Sequence, residues 1–212
     1  MSAKIGIIDY GMGNLGSVTN ACRYLNLSAG IITRPDEIDQ YTALILPGVG
    51  AFGDCVSHLA DHGLQEPLRE WIQSDRPFLG ICLGLQVLFE GSEESPDAVG
   101  LGVFPGVVRR FRLPPEYKVP QIGWSRVQQQ QPACPLFRGI PDHTHFYFVH
   151  SYYADAASAD FTAGITTYGV GYTSALWQGK IMAVQFHPEK SQRLGLQMLN
   201  NFAAWVKEEM ER

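Results

Sequence analysis

The sequence predicts an α/β fold with a central, mostly parallel sheet, flanking helices and a strand-rich second half. Short apolar runs alternate with helix-like stretches in the first half, the order typical of α/β proteins. In the second half the apolar runs follow one another between turn residues, which indicates consecutive strands. At 212 residues and 45% hydrophobic content, the chain can bury one full core, so we predict a single domain over residues 1–212.

Four strands are predicted in the first half, each from an apolar run of the length typical of a buried strand. They cover residues 5–9, 31–33, 43–46 and 78–81. Helices are predicted after the first, third and fourth of these strands. The helix after the fourth strand is expected to cover residues 83–90.

Most of the second half is predicted to be strand, and a long helix ends the chain. The strands cover residues 103–112, 122–127, 145–149, 161–168, 172–177 and 181–186. The helix runs roughly from residue 194 to residue 210. Its predicted apolar face consists of Leu194, Met198, Phe202, Trp205 and Val206.

Cys82 stands between Gly80 and Gly84, just after a predicted buried strand and just before a predicted helix. Serine hydrolases of the α/β type carry their nucleophile on such a strand-to-helix turn, in the pattern G-x-S-x-G. The start of a helix also favours the thiolate form of cysteine. A cysteine in an apolar segment is more often a small buried side chain, so this motif needs support from a second one.

His187-Pro188-Glu189 follows the predicted strand at residues 181–186 and supplies that support. The proline keeps the preceding backbone extended, and in extended chain residues i and i+2 lean to the same side. His187 and Glu189 are therefore predicted to project together. A general base and its orienting carboxylate need that arrangement, so Cys82, His187 and Glu189 are predicted to form a catalytic triad.

The segment that follows the strand at residues 43–46 has the sequence PGVGAFG. Small residues let backbone N–H groups approach a ligand without an intervening side chain. Acyl transfer requires such donors to face the tetrahedral oxyanion. We predict the oxyanion hole at Gly48 and Val49 together with Leu83, with the N–H groups of Val49 and Leu83 as donors.

These three motifs resemble those of class I (triad) glutamine amidotransferases, in the order found in that family. The proline-glycine-valine-glycine segment followed by phenylalanine is similar to the branch that forms the glutaminase subunit of imidazole glycerol phosphate synthase. Residues 9–15, 123–124 and 147–152 also fit that branch. The resemblance covers essentially the whole chain and implies the three-layer, flavodoxin-like fold of class I glutamine amidotransferases. It departs at Gln121 and Ser125, where members of the branch often carry histidine and asparagine.

The resemblance implies a glutaminase that releases ammonia and glutamate through a Cys82 thioester. It implies no cofactor and no metal. The substrate glutamine is then held by Gln86, Glu94, Ser151 and Tyr152, with Glu94 accepting from the α-ammonium group.

The resemblance also implies a heterodimer with a cyclase subunit, a (β/α)8 barrel that receives the ammonia in histidine biosynthesis. The products are imidazole glycerol phosphate and an aminoimidazole carboxamide ribotide. The residues that match positions facing the cyclase are Tyr10, Asn14, Trp124, Tyr147 and Lys190.

Three alternatives are weighed against this function. A glutaminase could serve another acceptor, as in pyridoxal phosphate or anthranilate synthase, or the chain could be a non-catalytic scaffold. Residues 11–16 also satisfy the dinucleotide pattern G-x-G-x-x-G, with Asp36 twenty residues beyond Gly16. We do not favour a dinucleotide site, because Arg34-Pro35 precedes Asp36 and because such a site leaves the triad unexplained.

Charge and composition argue against several classes of partner. The net charge of −5 does not favour a nucleic-acid surface. Apolar runs of membrane-spanning length and a signal peptide are both lacking, so the expected location is the cytoplasm. The four cysteines show neither paired nor metal-binding spacing, and a catalytic thiol suits a reducing compartment.

Overall fold

The computed structural model describes residues 3–211 and contains thirteen strands and five α-helices within that range. The six strands of the first half are β1 (Ile5–Ile8), β2 (Ala29–Ile32), β3 (Ala43–Gly48), β4 (Phe78–Cys82), β5 (Phe89–Ser92) and β6 (Ser95–Val99). The strands of the second half are β7 (Phe104–Arg110), β8 (Gln121–Gln129), β9 (Thr144–His150), β10 (Tyr152–Ala156), β11 (Thr162–Tyr168), β12 (Val170–Gln178) and β13 (Ile181–Val184). The helices are α1 (Leu15–Tyr24), α2 (Phe52–Asp61), α3 (Gln65–Gln73), α4 (Leu83–Gln86) and α5 (Gln192–Met210).

The parallel part of the sheet has the strand order β2-β1-β3-β4-β13. The sheet then continues through β12, β10, β7, β5 and β6, with antiparallel pairs except between β7 and β5. Strands β11, β8 and β9 branch from β12 as further antiparallel partners. The prediction of a mostly parallel centre with a strand-rich second half is confirmed.

Side chains alternate between two apolar cores along the parallel strands, because successive residues of a strand face opposite sides. In β3, Ile45 belongs to the core that also contains Val18 of α1 and Phe202 of α5. Leu46 belongs to the core on the other side, which contains Leu59 of α2. Helices therefore cover both faces of the parallel sheet and form the three layers predicted from sequence.

The helix predicted over residues 83–90 is shorter than expected, and this prediction was wrong at its end. Helix α4 ends at Gln86, and β5 begins at Phe89. Phe89 pairs in register with Phe104 of β7, and the carbonyl of Leu88 accepts from the N–H groups of Val103 and Phe104. Pairing with distant residues thus makes this segment a strand, although its apolar residues have helical spacing.

The parallel strands β1, β3, β4 and β13 bring their carboxyl ends to one edge of the sheet. Open α/β sheets bind ligands at this edge. All three sequence motifs follow these strands: the loop after β3, the turn after β4, and the segment after β13. The fold therefore assembles the predicted site residues from three separate parts of the chain.

Candidate active site

Cys82 occupies the strained turn predicted from its flanking glycines. It ends β4 with φ 56° and ψ −107°, a left-handed conformation that L-residues rarely adopt. A Cβ on Gly80 would lie 2.5 Å from the carbonyl oxygen of Gly84, and a Cβ on Gly84 would overlap the carbonyl oxygen of Leu46. Both flanking positions therefore require glycine, and the turn leaves the cysteine against the cavity described below.

His187 and Glu189 pair as their spacing predicts. His187 has extended backbone, and a short 3₁₀ turn over Pro188–Lys190 follows it. Nδ1 of His187 lies 2.7 Å from Oε1 of Glu189, and these side chains are 1% and 0% exposed. The carboxylate can only accept, so Nδ1 carries the proton and Nε2 is left for another partner.

The protonation of His187 is governed by burial and by two acidic neighbours. Burial opposes the charged form, but interactions with Cys82 and with Glu189 outweigh it and raise the pKa of His187 to about 9. Nε2 of His187 is buried and has no hydrogen-bond partner within residues 3–211. The imidazole is thus suited to exchange a proton with the thiol of Cys82.

A cavity of about 400 Å³ opens beside Cys82. Gly48 pairs with Cys82 in the register of β3 and β4, which brings the predicted oxyanion segment next to Cys82. Val49 and Leu83 both line the cavity. Leu83 is the first residue of α4, where helix geometry leaves the backbone N–H without an intrahelical acceptor.

The four residues predicted to hold glutamine all line this same cavity, namely Gln86, Glu94, Ser151 and Tyr152. Nε2 of Gln86 donates to the backbone carbonyl of Tyr152 at 2.9 Å. Oε2 of Glu94 accepts from the backbone N–H of Phe52 at 2.8 Å, which fixes this carboxylate at the cavity wall. The structure therefore brings together residues that are up to 66 positions apart in the sequence.

The contacts of three polar residues near Cys82, His187 and Glu189 were missed by sequence reasoning. Nε2 of Gln185 lies 3.6 Å from Sγ of Cys82 as a hydrogen-bond donor. His150 lines the cavity, and burial lowers its pKa to about 4. Asn14 donates to Glu189 at 3.0 Å. Gln185 offered a signal, because it is a polar residue within the predicted strand that leads to His187.

The residues predicted to face a partner divide into exposed and buried groups. Tyr10 was predicted to face the partner, but its side chain is 0% exposed and packs in the same core as Leu46. Trp124 is 45% exposed, and its ring centroid lies 6.1 Å from that of half-buried Tyr147. Lys190 is exposed and lines the cavity. Asn14 is half-buried and is hydrogen-bonded to Glu189, as described above.

The glycine-rich segment at residues 11–16 packs against the loop that follows β3. It lacks the acidic residue that a dinucleotide-binding fingerprint requires after the second strand. Gly13 has φ 122°, and a Cβ there would lie 3.5 Å from the carbonyl oxygen of Pro47. The segment thus packs against the predicted oxyanion loop. Asp36 lies in a 3₁₀ turn beyond β2 and pairs with Arg34 at 3.0 Å. In the fingerprint the acidic residue follows the second strand directly and faces the ribose.

Across residues 3–211, no helix is long and apolar enough to cross a membrane. Over the same residues, no group of three or more His, Cys, Asp or Glu side chains could hold a metal ion.

Comparison with known proteins agrees with this geometry. The sequence model of the family described as glutamine amidotransferase class-I matches residues 6–205. The chain is 46% identical over 205 residues to the imidazole glycerol phosphate synthase subunit HisH of Desulfitobacterium hafniense DCB-2, covering 97% of this chain and 96% of the relative. It is 47% identical over 203 residues to the protein of the same name from Moorella thermoacetica, covering 96% and 95%.

Solved structures share the fold at low sequence identity. The structure of PurLQS from Thermotoga maritima matches with a TM-score of 0.78 and 14% identity, over 97% of this chain and 100% of the other. The glutaminase domain of Trypanosoma brucei CTPS with bound acivicin matches with a TM-score of 0.61 and 14% identity, over 96% and 94%.

Proposed function

The chain belongs to the class I glutamine amidotransferase family, and we propose that it is the glutaminase subunit of an imidazole glycerol phosphate synthase. The observation that carries the proposal is the convergence of Cys82, His187 and Glu189 at one edge of the sheet, beside a cavity. The similarity to HisH proteins over nearly the full length of both chains supports the choice of pathway.

The first half of the reaction forms a thioester. The thiol of Cys82 gives its proton to Nε2 of His187 and attacks the side-chain amide carbon of glutamine. The resulting oxyanion is stabilised by the backbone N–H groups of Val49 and Leu83, with Gly48 leaving room for the approach. His187 then protonates the leaving nitrogen, the C–N bond breaks, and ammonia departs.

The second half hydrolyses the thioester. Water loses a proton to His187 and attacks the same carbonyl carbon, so that a second tetrahedral oxyanion forms in the same hole. The C–S bond breaks, the sulfur of Cys82 recovers its proton, and glutamate leaves. Glu189 keeps the proton of His187 on Nδ1 and stabilises the imidazolium at both stages, as the 2.7 Å pair supports.

The cavity residues orient the substrate. Glu94 accepts a hydrogen bond from the α-ammonium group of glutamine, and Ser151 and Tyr152 contact its carboxylate end through backbone groups. Gln86 donates its amide nitrogen to the carbonyl of Tyr152, and its side-chain oxygen is the group that would accept from the substrate. Because these groups recognise the amino-acid end, the side-chain amide is directed to Cys82.

We further propose that the partner is the cyclase subunit, a (β/α)8 barrel, which receives the ammonia within a heterodimer. It then forms imidazole glycerol phosphate and an aminoimidazole carboxamide ribotide. The exposed Trp124, its neighbour Tyr147 and Lys190 at the cavity form a docking face with aromatic and cationic groups, as protein interfaces favour. A reducing compartment such as the cytoplasm suits the catalytic thiol.

The test measures glutamate formed from glutamine by the purified chain. Three conditions are compared: the chain alone, the chain with a cognate cyclase, and the chain with cyclase and its ribulosyl substrate. We expect strong stimulation that requires the cyclase and is abolished by Cys82→Ala. Cys22→Ala is the matched control, because Cys22 is a buried cysteine on α1 and outside the cavity.

Each other outcome contradicts a defined part of the proposal. If the rate of glutamate formation is the same with and without the cyclase, the chain is still a glutaminase, but its role in the histidine pathway is rejected in favour of another acceptor. The absence of turnover under all three conditions, from folded protein, would reject the enzyme and favour a scaffold.

A further inference from the structure

Gln185 is a fully buried amide that the reaction scheme above does not use. It follows β13, two residues before His187, and its side chain is 0% exposed. Its Nε2 donates toward Sγ of Cys82 over 3.6 Å. We propose that Gln185 is a positioning residue that holds the sulfur of Cys82 as a thiolate, in an orientation set by Gln86 and the carbonyl of Tyr152. This inference rests on the proposed glutaminase function and names a further residue of the same site.

The direction of each hydrogen bond follows from one group that can only accept. The backbone carbonyl of Tyr152 accepts from Gln86 at 2.9 Å, so the atom of Gln86 at this point must be the amide nitrogen. The same nitrogen lies 3.0 Å from the amide of Gln185, which must therefore present its oxygen to Gln86. The nitrogen of Gln185 is then left to face Cys82, so the sulfur meets a donor.

The carbonyl of Tyr152 is itself held by a second buried donor. Nδ1 of His150 lies 2.8 Å from this carbonyl and must donate to it. Nε2 of neutral His150 and Oε1 of Gln121 can only accept, so the single proton of the Tyr172 hydroxyl serves these two acceptors, at 3.2 Å and 3.0 Å, one at a time. His150, Tyr172 and Gln121 are 7%, 4% and 1% exposed, so water does not compete strongly for these bonds. The orientation of Gln185 is thus fixed by a network, as well as by its own packing.

A buried donor at the sulfur favours the charged form of the nucleophile. Hydrogen bonds to a charged acceptor stabilise that charge more than they stabilise the neutral thiol. Within residues 3–211, His187, Tyr10 and Tyr172 interact electrostatically with Cys82, and His150, Glu94 and Lys190 line the same cavity. His187 supplies a positive charge, whereas the two tyrosines are neutral at working pH because burial raises their pKa values. Gln185 is therefore the neutral donor that adds to the effect of His187.

The experiment measures the thiolate of Cys82 directly, without requiring turnover. The full chain is alkylated with iodoacetamide between pH 5 and pH 10, with and without the cyclase, in wild type and in Gln185→Met. We expect the midpoint of the rate profile to rise by about one pH unit in Gln185→Met, because a hydrogen bond to a charged group is lost. The other cysteines contribute little background, because burial raises their pKa values to about 11 for Cys22 and about 12 for Cys55 and Cys134.

The matched control is Gln129→Met, which deletes an amide that donates to the carbonyl of Ile140, away from the cavity. Its midpoint should equal that of wild type. Gln185→Asn is the second variant, since it keeps a polar amide and withdraws it from the sulfur by one methylene group. Circular dichroism identifies which variants fold, and Gln185→Asn answers the same question if Gln185→Met does not.

A midpoint equal to that of wild type in a folded Gln185 variant would overturn the proposal and leave Gln185 a structural residue. A raised midpoint in a chain that the cyclase fails to stimulate would support Gln185 and reject the pathway instead. The two proposals can therefore fail separately.

Discussion

The side-chain amide of Asn14 donates to Oε1 of Glu189 over 3.0 Å, the same oxygen that pairs with Nδ1 of His187 over 2.7 Å. The loop after β1 is thereby joined to the turn after β13. The sequence predicted Asn14 only as a residue facing a partner. In the structure its amide orients the carboxylate that orients the imidazole.

Asn14→Ala should lower kcat without unfolding the chain. The carboxylate of Glu189 loses one of its two donors, and a hydrogen bond to a charged group is worth about 1.5–3 kcal/mol. If most of that free energy acts on the transition state, kcat falls roughly tenfold to a hundredfold. The measurement is cyclase-stimulated glutaminase activity. Asn20→Ala removes an exposed amide that accepts from Arg23 and should keep wild-type activity; equal rates in both variants would contradict the role of Asn14.

Gly84→Ala should strongly destabilise the chain or prevent its folding. The added Cβ would overlap the carbonyl oxygen of Leu46, which lies on the neighbouring strand and cannot move independently. Overpacking of this kind typically costs about 1–3 kcal/mol and occasionally more. The measurement is the free energy of unfolding in urea.

Gly16→Ala is the matched control for Gly84→Ala. Gly16 lies in α1, and a Cβ there meets no heavy atom within 4 Å. Alanine favours the helix over glycine by about 0.5–1 kcal/mol, so the control should be slightly more stable than wild type. A Gly84→Ala variant as stable as Gly16→Ala would contradict the packing described for the turn.

The contribution of His187 to stability should depend on pH with a defined sign. Its pKa is raised from about 6.5 in the unfolded chain to about 9 in the folded chain. The stabilisation is therefore complete below pH 6.5 and is lost as the pH rises toward 9, and its size is on the order of 3 kcal/mol. Urea unfolding of wild type and His187→Gln should show a difference that shrinks over this range.

His145→Gln serves as the control for this pH series, because His145 is exposed. This variant shows how much of any change comes from replacing a surface histidine rather than the histidine beside Cys82. A His187→Gln difference that instead grew with pH would show that the imidazole is neutral in the folded chain.

Tyr10→Phe should stabilise the chain. The hydroxyl of Tyr10 is buried and has no hydrogen-bond partner within residues 3–211, and burial, followed by Cys55, raises its pKa above the ordinary value. A polar group that loses water without gaining a partner costs about 1–3 kcal/mol, so the free energy of unfolding should rise by about 1 kcal/mol. Tyr24→Phe, at a side chain that is 75% exposed, should change nothing. A destabilised Tyr10→Phe would indicate a bond to the thiol of Cys55.

Sequence patterns were sufficient for features that depend on neighbouring residues. The glycines around Cys82 and the two-residue spacing of His187 and Glu189 act within one turn, so their geometry follows from backbone sterics alone. The buried parallel strands also follow from local composition, because both of their faces are apolar. The predicted strands lie close to those observed, but β5, β6 and β10 were not predicted.

Only the tertiary structure decided the features that depend on distant contacts. Helix α4 ends early because Leu88 and Phe89 pair with Val103 and Phe104. Tyr10 is buried, Asn14 contacts Glu189, and Gln185 contacts Cys82, each across strands that are not adjacent in the sequence. The sequence gives the donor and acceptor groups of each side chain. Burial and hydrogen-bond partners, in contrast, are set by the packing of strands from separate parts of the chain. The sequence by itself thus determined the fold class, the strained turn at Cys82 and the pairing of His187 with Glu189, and the packing determined which polar groups surround them.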